Sequence, residues 1–178
     1  RGPMAQQAKN WENVRSYSLD ADAEQALFDA QIECTLIWAS KDGWPMGVIV
    51  NYIHRDGRFW LTASEERPRV KQIRKDPRVC IAISSKGSSI KERQSLTYKC
   101  RAIVHTDRET LDWVLPEFAA AMRPGEPEKA AAFLAMLDSP ERVVFELIPE
   151  VRVGFDSAKM WAASEAARPS DSPSGRSA

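Results

Sequence analysis

The sequence predicts a mainly β fold, a small antiparallel barrel of six or seven strands with helices at its periphery. Three observations lead there. β-prone runs recur between residues 34 and 155; Asp-Gly pairs at 42–43 and 56–57 mark tight hairpins; and the helical stretches carry one apolar edge each, as helices packed outside a sheet do.

A first helix fits residues 20 to 30, where Asp20, Asp22 and Glu24 crowd the amino end and Leu27 with Phe28 form an apolar edge. Residues 34 to 39 then read as a strand ending at Asp42-Gly43, residues 46 to 53 as a second, and residues 58 to 63, after Asp56-Gly57, as a third. Together they predict a three-stranded meander. Pro68 to Lys75 is a short basic helix that stops before Pro77. Val70 and Ile73 can face a core, while Arg67, Lys71 and Arg74 recur at helical spacing on another face.

Residues 79 to 84 and 94 to 104 read as two further strands, joined by the polar loop 86 to 93, a solvated hairpin or a flap. Thr106-Asp-Arg-Glu109 has the form of a capping box and opens a helix bearing Leu111, Val114, Leu115 and Phe118. Pro124-Gly125 ends it. A helix over 127 to 137 follows with Phe133, Leu134 and Leu137, then strands at 143 to 148 and 151 to 155 separated by Pro149.

At 178 residues and 43% hydrophobic content the chain can bury one core, which we place in a single domain spanning 20–161. Residues 1–19 read as an expression scar, Arg1-Gly-Pro before Met4, with a flexible N-terminus; 162–178 read as a disordered tail rich in serine and proline. Twenty-five basic residues balance twenty-five acidic ones, so no overall field favours nucleic acid. No apolar run has membrane-spanning length and no signal peptide opens the chain, which predicts a cytoplasmic protein. Cys34, Cys80 and Cys100 lack metal or redox spacing and read as free thiols; His54 and His105 are isolated, so no metal site is expected.

The chemistry concentrates in Leu61 to Val79, where a strand meets the basic helix. Thr62 and Ser64 sit at the turn beside Arg69 and Lys71, and a helix N-terminus adds N–H donors and positive potential. That combination suits an anion, above all a phosphate. Trp38, Trp44, Met46 and Trp60 lie on the meander, as core or as cover for a flat ring. Nucleophile-elbow, zinc-helix, Walker and Rossmann motifs are absent, so no catalytic residue is assigned.

From about Glu33 to Phe155 the arrangement resembles the FMN-binding split-barrel family of flavin and deazaflavin oxidoreductases, which includes pyridoxamine phosphate oxidase. The resemblance is carried by a strand ending in Thr62, the basic turn, and the ending Asp76-Pro-Arg-Val79. It implies a split β-barrel in which Leu61 and Thr62 line the cofactor, Ser64 reaches its phosphate, and Arg69 and Lys71 supply charge. Gln94, after Arg93, is implied to reach the ring. Met46 and Asn51 stand where the vitamin B6 oxidases carry a cationic pair, which argues against that activity; Met46 is kept as a cofactor contact.

The resemblance further implies a homodimer with its cofactor, the deazaflavin coenzyme F420 or FMN, at the interface. Hydride would pass between cofactor and a small organic substrate, with no nucleic acid or membrane partner. The other reading is a non-catalytic protein of the same fold that sequesters a flavin, a deazaflavin or haem.

Overall fold

In the computed structural model, residues 14–166 are described. After a 3₁₀ turn (Val14–Ser16) come α1 (Ala21–Ala30), β1 (Glu33–Ala39), β2 (Pro45–Asn51), β3 (Ile53–Arg55), β4 (Arg58–Ser64), α2 (Pro68–Lys75) and β5 (Arg78–Ser84). There follow β6 (Gln94–His105), α3 (Arg108–Met122), α4 (Pro127–Leu137), β7 (Arg142–Asp156) and α5 (Ser157–Ala166). The expected scar at Arg1–Pro3 and residues 167–178 of the expected tail lie outside the described residues, while residues 162–166, expected to be disordered, are the end of α5.

All seven strands pair antiparallel in the order β2-β1-β5-β6-β7-β4-β3. The two edge strands are consecutive in the chain, parted by Tyr52 alone, so the sheet curls until one bent run carries both its edges. This corrects the single strand expected over 46 to 53. Its first part pairs with β1 and its last part with β4, and Tyr52 turns its amide away to the Ile32 carbonyl at 3.0 Å. The meander is thereby divided between opposite edges of the sheet. At Asp56-Gly57 both residues hold positive φ, 52° and 72°, as the expected tight turn requires.

Alternation along each strand sends Leu36, Ile81, Leu96, Phe59, Leu61 and Phe145 into one core. α1 closes one mouth with Leu27 and with Phe28, whose ring lies 4.3 Å from His54 and 5.5 Å from Phe59. α2 adds Val70 and Ile73 from another side, as their spacing predicts. On the outer face α3 covers Trp60 and Val144 with Leu111, Val114 and Leu115, and Trp113 meets Trp60 edge-on at 4.7 Å. The N-cap of α3 is Asp107, one residue after the expected Thr106; its carboxyl accepts from the Thr110 N–H at 2.8 Å, and that bond lowers its pKa to about 2.

Two further corrections concern the ends of the barrel. The strands expected at 143 to 148 and 151 to 155 are one, β7, whose ladder with β6 shifts register near Pro149 because proline brings no N–H to it. The stretch before residue 20, expected to be flexible, is packed from Tyr17 to Asp20. Tyr17 and Leu19 are buried, and Arg152 bonds the Ser18 hydroxyl at 2.7 Å and the Leu19 carbonyl at 2.9 Å. Beneath that strap a Cβ on Gly154 would lie 2.7 Å from Ser18 Oγ and 3.2 Å from Leu96 Cδ2. Gly154→Ala is expected to cost about 1–3 kcal/mol in chemical denaturation. Unchanged stability would mean that the strap does not press there.

Among the described residues no helix is long and apolar enough to cross a membrane.

Candidate anion site at the β4–α2 turn

β4 leaves the barrel at Ser64 and the chain turns into α2 within a few residues, held by the Arg67 N–H to the Ser64 carbonyl at 3.0 Å. Pro68 starts the helix, where its missing N–H costs nothing, and no side chain caps the first turn. The helix therefore offers its uncapped N-terminal donors and dipole to whatever binds in front of it.

Several of the cations that gather there have no ion-pair partner. Among the described residues Arg67, Arg69, Lys71 and Lys75 form no ion pair, whereas Arg74 is clamped to Glu65 by two contacts, one of 2.8 Å. Arg69 is the most telling of them, because its Nε is buried and has no hydrogen-bond partner. Burial, with the Arg67 charge beside it, lowers its pKa. A buried guanidinium donor with nothing to donate to is costly, and an anion would satisfy it. These residues fit the phosphate of the implied cofactor.

The remaining sequence-predicted residues divide by strand face and by position. Thr62 and Ser64 point outward from β4. Thr62 Oγ1 donates to the Val143 carbonyl at 3.0 Å, which leaves its lone pairs to accept, and Ser64 is half-buried with its hydroxyl unclaimed among the described residues. Leu61 points into the core and is buried, so only its backbone can face a ligand. Met46 pairs with Trp38, and Trp38 with Val79, which follows α2 closely; Met46 thus stands at the same end of the barrel, with 46% of its surface exposed. Trp60, a candidate ring cover, is buried beneath α3 instead.

Gln94 stands apart. It opens β6, whose far end at His105 is paired through Val144 to Thr62. Twelve residues of strand separate the two ends, roughly 35 Å along the ladder. Along this ladder Gln94 does not neighbour the β4–α2 turn.

Local sequence gave no sign of two other residues at these places. Arg142 lies opposite Ser64 in register and is lowered in pKa by burial, with its Nε donating to the Leu137 carbonyl at 2.6 Å. Asp156 lies beside Gln94. Neither stands within a recognisable motif, and only strand pairing places them.

A curled antiparallel barrel with helical covers and a cation cluster at one strand end is the architecture of the flavin-binding split-barrel family. The chain belongs to the pyridoxamine 5'-phosphate oxidase family, whose model matches residues 21–152. Among solved structures it is similar to a conserved hypothetical protein of Mycobacterium tuberculosis, at 21% identity over 92% of this chain and 98% of that one, with a TM-score of 0.67. A protein described as an F420 reductase matches at 14% identity over 72% and 94% of the two chains, TM-score 0.51. The heme storage protein HutZ of Vibrio cholerae matches at 16% identity over 76% and 93%, TM-score 0.57. At these identities the likeness is one of fold. No curated protein matches the sequence.

Proposed function

We propose that the protein is an oxidoreductase that holds a flavin-type cofactor by its phosphate at the β4–α2 turn, with F420 favoured over FMN. The observation that carries this reading is Arg69, a half-buried cation whose buried Nε has no hydrogen-bond partner, in a cluster where the nearby Glu65 is taken by Arg74. When bound, such a cofactor supplies hydride transfer at its central ring. The chain's own residues bind and orient. Arg69 and Lys71 take the phosphate charge, Ser64 donates to it, and the first turn of α2 adds its N–H groups. The backbone at Leu61 and Thr62 lines the strand end, and Trp38 with Met46 supplies an apolar edge that keeps water from the ring.

The preference for F420 rests on the number of free cations. One FMN phosphate is matched by Arg69 and Lys71. Arg67 and Lys75 then remain uncompensated among the described residues, and the longer anionic tail of the deazaflavin coenzyme would engage them.

A homodimer completes the site in this reading, with Gln94 supplied by a second chain. The outer sheet face supports it. Ile49, Thr35, Ala82, Thr97 and Val153 lie in one row across five strands, with Ile49 73% and Val153 61% exposed. Cys80 lies beside Ile37 in the next row. That first row carries no charged side chain, although Lys99 stands opposite Cys80 in the next, and an uncharged row of this length suits an isologous contact. All three cysteines are free, which supports a reducing compartment such as the cytoplasm.

Titration with F420 and with FMN, followed by the cofactor's own absorbance, tests the seat; turnover of quinones or enones by the loaded protein tests the activity. Tight binding without turnover would favour sequestration. We expect a dimer in sedimentation, and Cys80 protected from thiol reagents in it but open in a monomeric Ile49→Lys, Val153→Lys variant. A monomer that binds cofactor fully would overturn the shared site.

A further inference from the structure

Four polar or charged residues are buried among the described residues, and three of them, Ser85, Gln94 and Asp156, meet at the base of the β5–β6 loop. Burying such groups is costly unless each is satisfied, so their convergence calls for a reason. Gln94 Nε2 donates to Asp156 Oδ2 at 3.2 Å, and the Gln94 backbone N–H donates to Ser85 Oγ at 2.9 Å. Ser85 Oγ in turn donates to the Glu92 carbonyl at 2.7 Å. Asp156 is itself fixed: its other oxygen accepts from the Ala158 N–H at 2.9 Å, and its own N–H donates to the Tyr17 carbonyl at 2.6 Å. Beside this network opens a recess of about 510 Å³ lined by Lys86, Ile90, Arg93, Gln94 and Phe155.

We propose that Asp156 is a positioning residue that locks the Gln94 side-chain amide with its Oε1 turned toward this recess, so that the recess recognises a ligand edge that donates an N–H. A carboxylate only accepts hydrogen bonds, so the face of the Gln94 amide turned to Asp156 must be its NH₂ group. The carbonyl is left to face the other way. An acceptor held rigidly in a recess rewards a donor and penalises an acceptor, because a buried polar group left unpaired costs more than a paired one returns. The pyrimidinedione edge that FMN and F420 share carries such an N–H. The inference rests on the function proposed above for the identity of that edge; the lock itself does not depend on it.

Asp156 also caps the start of α5, and the test must separate this from positioning. Asp156→Asn keeps a good capping residue but can donate as well as accept, which frees the Gln94 amide to turn. Two measurements decide. First, the side-chain NH₂ protons of Gln94, assigned by their loss in Gln94→Ala, are expected to exchange slowly with solvent in the wild type and at least tenfold faster in Asp156→Asn. Equal exchange in the two proteins would overturn the lock, and this readout needs no cofactor.

Second, Asp156→Asn is expected to weaken binding of FMN or F420 about tenfold in the wild-type background and less than twofold in Gln94→Ala, the signature of a residue acting through another. Equal losses in both backgrounds, or no loss in either, would reduce Asp156 to a helix cap. If the wild type binds neither cofactor, the proposed function fails while the exchange measurement still decides the lock.

Discussion

Replacement of Arg69 by alanine is expected to weaken cofactor binding by about 1.5–3 kcal/mol, roughly ten- to a hundredfold, while leaving the fold at least as stable as before. The two effects have one cause. Without an anion, the half-buried Arg69 guanidinium keeps a buried Nε with no partner and a pKa lowered by burial and by Arg67. Removing it relieves the folded protein of an uncompensated cation. With an anion present the same group makes a charge-assisted hydrogen bond in a partly dry site, and its loss is felt in full. Lys71→Ala should show a smaller loss that fades with added salt, because Lys71 is exposed and its field is screened. Absorbance titrations at two ionic strengths, beside urea denaturation of the same variants, check both halves. Unaltered affinity in Arg69→Ala would remove the phosphate seat from this turn.

Glu146→Ala is expected to cost about 3 kcal/mol of stability and to loosen α3 from the barrel. Glu146 is 4% exposed on the outer face of β7, between the Arg58 guanidinium and His105 Nε2, the latter at 2.7 Å. His105 Nδ1 lies 3.3 Å from Asp107 Oδ2, so the chain of contacts ends at the N-cap of α3. Truncating the central carboxylate leaves Arg58 without its counter-charge and His105 Nε2 without its hydrogen-bond partner. Breaking a buried pair costs about 3–5 kcal/mol, and the lower end applies because Arg58 is half exposed. Trp60 and Trp113 pack beside this network, so urea unfolding followed by tryptophan fluorescence should show a lower midpoint and a redder native spectrum. Glu146→Gln keeps the shape and an acceptor, and should lose less. An unshifted midpoint in Glu146→Ala would mean that the network does not hold the helix.

Much of the fold is legible in the chain because its signals are local. Proline at the start of α2 and just beyond its end bounds the helix, and the spacing of Val70 and Ile73 turns its apolar edge inward. Asp56-Gly57 dictates a tight turn whatever lies around it. The errors share another origin. Residues 46 to 53 carry the β-propensity of one strand, and nothing local says that its two parts serve opposite edges of a curled sheet. Pro149 resembles a strand end, yet the long ladder with β6 carries β7 through it with a change of register. Thr106 and Asp107 are both good caps, and the position of α3 on Trp60 and Val144 is what puts the second at the helix start.

The candidate site divides the same way. Leu61, Thr62, Ser64, Arg69 and Lys71 are visible together because the proposed phosphate seat, built from a strand end and a helix N-terminus, occupies about ten consecutive residues. The sequence by itself determined that cluster of charge, its helix and the inward edge that Val70 and Ile73 give it, since each depends on spacings of two to four residues. Only the tertiary structure decided that Arg74 is spent on Glu65, that Leu61 offers its backbone alone, and that Gln94 stands far along β6 in the company of Asp156. Those facts are set by ladder register and by burial, which join residues as distant as Gln94 and Asp156, 62 positions apart, and no local pattern carries that information.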